Sequence, residues 1–558
     1  MKRFTVALGA VLAAWSSVAG AEARTALDDS RACTRLGDGG YAVATGGGLA
    51  IVRGGKARAL TSLDGLPETR VHAVLATREG LWVGTEAGAA LVALDPPKVV
   101  RTVLDRPVHA MAEASDGALW IGTWGAGVVR VAGRAGLPVP VRSTAGGKNV
   151  SAMAEHAGVM HVAYADGPVT RFTGGALVAL ATPTHGQALA PLGGRLVYGD
   201  LEGLFRIEGE RAVSTGSVDV RGISGDLLAT YGSGLLRGTS LRAEPGVPRF
   251  VRGAGAGCAA TTEGLFLEEG GWHRVSLGGP PSNDVTTLAV NGERVAVGTF
   301  DGGAAIATRG DFVPIRGLEP TETVNTAAWQ GERLWLGTAR GLVRVEGGAV
   351  TRRLRTADGL PSLTIRALLV LGPDRLLVGT EEGTATLEGD RLVPLAPTRK
   401  GGRQPLDSPM HATWALAKDE AGTLWIGTSS GLYVGTGGDF RRIALATGGL
   451  VDDWVTALAV VGPGHAFVGT YSGGVTHITG GGSQHLGGGY VNPDGLVVIG
   501  TDVHAATMDG LLVRPMGDDA AGWKAHPDAA TGRDVTAVRA VGDRLWVGSR
   551  RGIAITRR

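Results

Sequence analysis

The sequence predicts an all-β protein: two seven-bladed β-propellers built from about 14 four-stranded repeats. Two observations carry that prediction, a short motif that recurs from end to end and a spacing between copies that fits one propeller blade. The motif is clearest in Leu424-Trp425-Ile426-Gly427-Thr428-Ser429-Ser430-Gly431-Leu432. Trp82-Val83-Gly84-Thr85, Trp120-Ile121-Gly122-Thr123, Trp335-Leu336-Gly337-Thr338 and Trp546-Val547-Gly548-Ser549 repeat it, each followed by a further Gly. Val297-Gly298-Thr299, Val378-Gly379-Thr380 and Val468-Gly469-Thr470 keep the frame without the Trp. Aligned on the Thr, the copies fall at Thr45, Thr85, Thr123, Tyr164, Asp200, Tyr231, Thr261, Thr299, Thr338, Thr380, Thr428, Thr470, Thr507 and Ser549. Their average period is roughly 39 residues, within the range of a four-stranded blade.

Within one repeat each element has its reason. The nearly unbroken apolar run Leu424-Trp425-Ile426 suits a strand buried on both faces. Gly427 leaves room for a neighbouring sheet to approach, Ser429-Ser430-Gly431 makes a permissive turn, and Leu432 starts the next strand. Upstream, Thr413-Trp414-Ala415-Leu416-Ala417 reads as the preceding strand and Asp419-Glu420-Ala421-Gly422 as a polar turn. Gly437-Gly438-Asp439 then leads into a fourth strand at Phe440-Arg441-Arg442-Ile443. No stretch is long enough for a helix.

From its start, the chain opens with a secretory signal over residues 1–23. Lys2-Arg3 precedes an apolar run from Phe4 to Val18, and small residues permit cleavage after Ala21 or Ala23. The mature protein is expected to be periplasmic or secreted. No later segment has the apolar length of a membrane span, so no membrane insertion is expected. Lys plus Arg (54) nearly balances Asp plus Glu (52), which points away from nucleic acid. The 93 glycines fall largely at the repeated turns. Gly278-Gly279-Pro280-Pro281-Ser282-Asn283 halves the copies evenly, placing the first propeller at 24–283 and the second at 284–558. The stretch from Thr398 to Pro405 and the segment from Pro515 to Arg533 read as surface loops.

The frame Trp-x-Gly-Thr-x-x-Gly-Leu, with Asp64-Gly65-Leu66-Pro67 and Asp358-Gly359-Leu360-Pro361-Ser362 ahead of two copies, resembles the two-component regulator propeller repeat. That resemblance implies the extracytoplasmic sensor of a hybrid histidine kinase, in which paired seven-bladed propellers detect oligosaccharides. The sequence carries the sensor repeats and shows no kinase segment, so the transmitter would be a separate membrane receptor.

Motifs for catalysis are missing: there is no His-Glu-x-x-His, Gly-x-Ser-x-Gly or phosphate-cradling loop in a suitable context, and no cofactor is called for. Asp116-Gly117, Asp494-Gly495 and Asp509-Gly510 read as tight turns in preference to calcium ligands. His72 and His109 hold the same place in adjacent copies. They read either as a pair of metal ligands or, since Ser151, Thr286, Asn325, Thr456 and Thr536 hold that place elsewhere, as a generic polar position at the start of a strand; the second is preferred and no metal is expected.

In a propeller, the loop into the innermost strand and the turn between the second and third strands share the face around the channel mouth. The first loop supplies His72, His109, Asn325, Arg366, His411, Asp453 and Trp454, and the turn supplies Trp124, Phe300, Arg340 and Tyr471. Aromatic faces beside hydrogen-bonding groups suit a glycan, peptide or protein ligand. The cluster His411, Asp453, Trp454 and Tyr471 is the preferred site, with Phe300, Arg340 and Trp124 as further candidates. The chain therefore reads as a binding module and not as an enzyme; the alternative is a propeller lyase or lactone hydrolase with acidic and His residues converging on the channel.

Two cysteines bear on ring closure. Cys33 is placed in the innermost strand of blade 1 and Cys258 in the second strand of blade 7 by their offsets from the motif Thr. They read as a bridge that staples the first ring, or as two buried thiols. A rival topology uses the residues before Cys33 to complete blade 14, with blade 1 in the second ring.

Overall fold

The computed structural model describes residues 22–133, 136–144, 146–319, 321–395, 412–518, 520–526 and 533–558. His411, the stretch from Thr398 to Pro405, and the signal segment up to Ala21 lie outside the described residues.

Each blade is a sheet of four antiparallel strands. In the first ring the innermost strands are Ser30–Arg35, Val71–Thr77, Val108–Glu113, Val150–His156, Ala188–Leu192, Val220–Ser224 and Val251–Gly255. In the second they are Val285–Asn291, Val324–Gln330, Ile365–Gly372, Thr413–Lys418, Val455–Gly462, Val491–Ile499 and Val535–Val541. Each packs on the next, and in both rings the last packs on the first. Two closed seven-bladed propellers result, with the core distributed between adjacent blades.

The motif residues hold neighbouring blades together. Trp425 is 1% exposed and packs with Val455, Ala466 and Val468 of the following blade. Gly427 lets that blade approach, because a Cβ there would lie 2.5 Å from Val455 Cγ1. Gly84, Gly122, Gly298, Gly337 and Gly548 face a β-branched residue of the next blade in the same way. The Thr428 hydroxyl donates to the Gly431 carbonyl (2.8 Å) and accepts the Ser430 N–H (3.0 Å), closing the turn with both groups buried. In the Asp-Gly-Leu segments, Asp64 and Asp358 accept the N–H of Thr61 and Arg355 (2.8 Å each), capping a 3₁₀ turn that ends in a left-handed Gly.

Three sequence expectations change. The sixth motif Thr is Thr230, not Tyr231: its hydroxyl donates to Gly234 O (2.6 Å), so this turn is one residue longer than most, as in Thr123, Thr299 and Thr470. Tyr231 then joins Trp124, Phe300 and Tyr471 as an aromatic directly after the Thr. The segment after Pro515 is not only loop, because Lys524–Ala525 pairs as the outer strand of blade 13. Asp494-Gly495 is no tight turn. It belongs to an extra-long bulge between Val491 and Leu496 that reaches the neighbouring strands: Asp494 pairs with Arg539 of blade 14 and accepts from Thr287 Oγ1 (2.9 Å) and Leu288 N (3.0 Å) of blade 8.

The rings close by different devices. A disulfide joins Cys33 to Cys258 with Cα atoms 6.3 Å apart, between the first and last blades of the first ring. The second ring is closed by the N-terminus, since Glu22–Arg24 pairs antiparallel with Gly552–Arg557 as the fourth strand of blade 14. The rival topology is thus right about that strand and wrong about blade 1, which stays in the first ring; Arg24 accordingly belongs to the second ring and not to a first propeller starting at residue 24. Between the rings, the Asn283 side chain accepts the Ala26 N–H (2.7 Å) and donates to Gly46 O (2.7 Å), while its carbonyl accepts the Gly552 N–H (2.8 Å).

Candidate functional site

Nearly every innermost strand begins with a β-bulge after its first residue, such as Val71/Ala73, Val324/Thr326 and Thr413/Ala415. The extra residue is left out of the pairing and re-aimed, as bulges do. The residue after the motif Thr donates its N–H to the loop leading into this strand: Trp124 to Pro107 O (2.9 Å), Phe300 to Asp284 O (2.8 Å) and Tyr471 to Trp454 O (2.9 Å). Bulge residues and turn residues therefore share one mouth.

In the second ring the bulge residues are Thr286, Asn325, Arg366, Trp414, Thr456, Asn492 and Thr536. Five of them donate to the carbonyl of the first innermost-strand residue of the next blade: Thr286 to Val324, Asn325 to Ile365 (2.9 Å), Thr456 to Val491 (2.6 Å), Asn492 to Val535 (2.6 Å) and Thr536 to Val285 (2.6 Å). This belt of hydrogen bonds is replaced at two junctions, from blade 10 to 11 and from blade 11 to 12. There the bulge residues are Arg366 and Trp414. The Arg366 guanidinium lies 4.5 Å above the Trp414 ring, and Trp414 meets Trp454 at 5.5 Å. Trp454 stacks on Tyr471 at 4.5 Å and 14°, and Tyr471 meets Tyr490 edge-on at 5.2 Å. Arg366 also pairs with Glu381 at 3.4 Å. The result is a ledge across blades 10 to 13 with Tyr471 49% exposed at its rim.

The ledge joins two of the residues expected from sequence, Trp454 and Tyr471, and adds Trp414, Tyr490 and Arg366. Asp453 is not part of it: its carboxylate accepts the Leu445 N–H (2.7 Å) and pairs with Arg442 (3.8 Å), capping a 3₁₀ turn. Asp452 supports the rim instead, accepting the N–H groups of Trp454 (3.0 Å) and Ser472 (2.7 Å). Burial works to raise its carboxyl, but these N–H groups and the Ser472 hydroxyl outweigh it and hold Asp452 below its ordinary value. Phe300 and Arg340 are exposed at the same mouth on blades 8 and 9. Trp124 lies in the other ring.

In the first ring a charged and aromatic row runs across blades 7, 1, 2 and 3. Arg252 pairs with Asp29, which also pairs with Arg31 (3.1 Å), and Arg31 Nη1 lies 3.3 Å from His72 Nδ1. His72 Nε2 meets Glu86 Oε2 at 2.6 Å and its ring stacks on His109 at 4.1 Å, which stacks on Trp124 at 4.8 Å. Burial, with His72 alongside, pushes His109 down to about 4 despite Glu86. Burial also lowers His72, against the hydrogen bond that its ring donates to Glu86. For Glu86 burial is the largest influence and raises it, but the His72 contact prevails and leaves it lowered.

Fold and mouth together define a tandem propeller with a row of aromatic and charged side chains at the mouth of each ring. Residues 102–125 match the family model described as two component regulator propeller. No curated protein sequence matches the chain. Among solved structures it is similar to PorZ, a bacterial surface component of the type-IX secretion system of Porphyromonas gingivalis, at TM-score 0.72 and 12% identity over 96% of this chain and 87% of that one. It is also similar to an ancestral GH74 enzyme, at TM-score 0.63 and 12% identity over 96% and 99%. The extracellular domain of a hybrid two-component system from B. thetaiotaomicron aligns at TM-score 0.39 and 14% identity over 95% and 81%. At these identities the likeness is one of fold.

Proposed function

We propose that the protein is an exported ligand-capture propeller that holds a glycan, peptide or protein on the aromatic ledge of its second ring and presents it to a separate membrane receptor. One observation carries this reading: the blade-to-blade belt is given up where the ledge stands, at Arg366 and Trp414. Structure alone would be served by Thr or Asn there, as in the other five blades. A run of half-buried aromatic faces that opens at Tyr471, beside a guanidinium, suits flat, hydroxylated or amide-bearing ligands. Export is supported by the apolar N-terminal run and by the cystine, and among the described residues no helix is long and apolar enough to cross a membrane. At the ledge a binding role is favoured over an enzymatic one, because the second ring's bulge residues are Thr, Asn, Arg and Trp and not the converging carboxylates and imidazoles that a lyase or lactone hydrolase would use.

The test is an array of glycans and peptides probed with the mature protein, followed by calorimetry on the hits. Trp454→Ala and Tyr471→Ala should each weaken binding by about tenfold or more, ~1.4 kcal/mol, with little change in melting temperature. Unchanged affinity in both variants would move the site off the ledge.

A further inference from the structure

We propose that His72, Glu86 and His109 form a transition-metal site between blades 2 and 3 of the first ring, with Zn²⁺ as the ion that best suits its donors. Two imidazoles and one carboxylate are a donor set for Zn²⁺, Ni²⁺ or Cu²⁺, and they leave a coordination position for water or a group of a bound molecule.

The ligand atoms of the three residues already lie within 4.8 Å of one another. Tetrahedral bonds of about 2.0–2.2 Å would set neighbouring donors roughly 3.4 Å apart. Side-chain rotation supplies the difference: the His72–Glu86 contact at 2.6 Å opens slightly and His109 closes. His109 is the ring free to do so, because among the described residues it is held by ring contacts with His72 and Trp124 and by no hydrogen bond. The two rings stack at an interplanar angle of 19°, and turning His109 brings its nitrogen toward His72 Nε2 and Glu86.

The surroundings accommodate the ion. Arg31 faces His72 Nδ1 at 3.3 Å but has Asp29 as a second partner at 3.1 Å. When Nε2 takes the ion, the ring keeps its single proton, which moves from Nε2 to Nδ1, and Arg31 remains on Asp29. Blade architecture does not demand these residue types. The bulge position is filled by Ser151 and Asn325 in other blades, and the position of Glu86 by Ala339 and Ser429. Only in blades 2 and 3 do two successive bulges carry His, and the carboxylate stands on the turn beside them.

The probe is Zn²⁺ itself, titrated by calorimetry into the untagged, disulfide-intact protein, with Co²⁺ visible absorption reporting the coordination geometry. One ion per chain is expected. His72→Asn and His109→Ser install residues the repeat already uses at this place, so the fold should persist, as the melting temperature of the ion-free variants will show. Each should weaken Zn²⁺ binding by about 100-fold. The control pair His465→Gln/His477→Gln removes two facing imidazoles of blade 12 and should change nothing. Absence of stoichiometric uptake, equal uptake by both His variants, or loss of uptake in the control pair would each overturn the site.

Discussion

Replacing Gly427 by Ala probes the contact on which the whole repeat depends. The added Cβ would sit 2.5 Å from Val455 Cγ1 and 3.2 Å from both Val455 Cβ and Ala415 Cβ. Carbon atoms pack best at about 3.5–4.0 Å, so the overlap with the Val455 methyl is about 1 Å. Val455 is fully buried and β-branched, so it has little rotamer freedom with which to yield. The blades must part or the side chain must leave its rotamer, at a cost of about 1–3 kcal/mol, in the upper half of that range. The assay is urea unfolding of the second ring followed by tryptophan fluorescence. Gly372→Ala is the matched control: a Cβ added there would meet nothing within 4 Å, and a change within about 0.5 kcal/mol is expected. Val455→Ala removes the methyls that the new Cβ strikes, so the double variant should be more stable than the sum of the singles by about 1–2 kcal/mol. A cost below about 0.5 kcal/mol for Gly427→Ala, or strict additivity in the cycle, would refute the claim that this glycine sets the blade spacing.

Trp425→Ala should cost about 3–5 kcal/mol, measured in the same unfolding assay, because the indole is buried between two blades; a loss under about 1 kcal/mol would contradict that placement. Removing both cysteines opens a loop of 225 residues and should lower the stability of the first ring by up to about 5 kcal/mol, read from the shift in urea midpoint. The mature N-terminus should be Glu22, since cleavage after Ala23 would take two of the three residues that pair with Ile553 to Ile555; mass spectrometry of the exported protein decides between the two cuts. Stability should fall on acidification from the ordinary histidine value of 6.5 toward about 4. His109 has a depressed folded value, so the unfolded chain takes up its proton first and the folded state loses ground as pH drops. His109→Ser should flatten that slope in melts followed against pH.

Most of the fold is legible in the sequence because each blade needs the same few residues: a bulky strand residue, a glycine opposite the next blade, and a hydroxyl to close the turn. The offsets of Cys33 and Cys258 from the motif likewise place them on facing strands. Tyr231 takes the place of the motif Thr in the alignment because Thr230 closes a turn that is one residue longer, a difference that shows only when the carbonyl partner, Gly234, is known. Trp454 and Tyr471 can be put on one mouth from their places in the repeat. Arg366 falls there too, but its relation to Trp414 does not, because a bulge aims a side chain across to the next blade and leaves no mark in the spacing. Glu86 escapes sequence reading since its partnership with His72 links adjacent strands. Asp494 resembles any other Asp-Gly until its bulge carries it to Arg539 and Leu288.

The strand at Glu22–Arg24 also orders events in time. These residues are synthesised more than 500 residues ahead of their partner, Gly552–Arg557. The first ring can be sealed by its cystine while the second is still incomplete, and until the final blade arrives the leading strand waits unpaired beside an open sheet. A chain that stops early can never cover that strand.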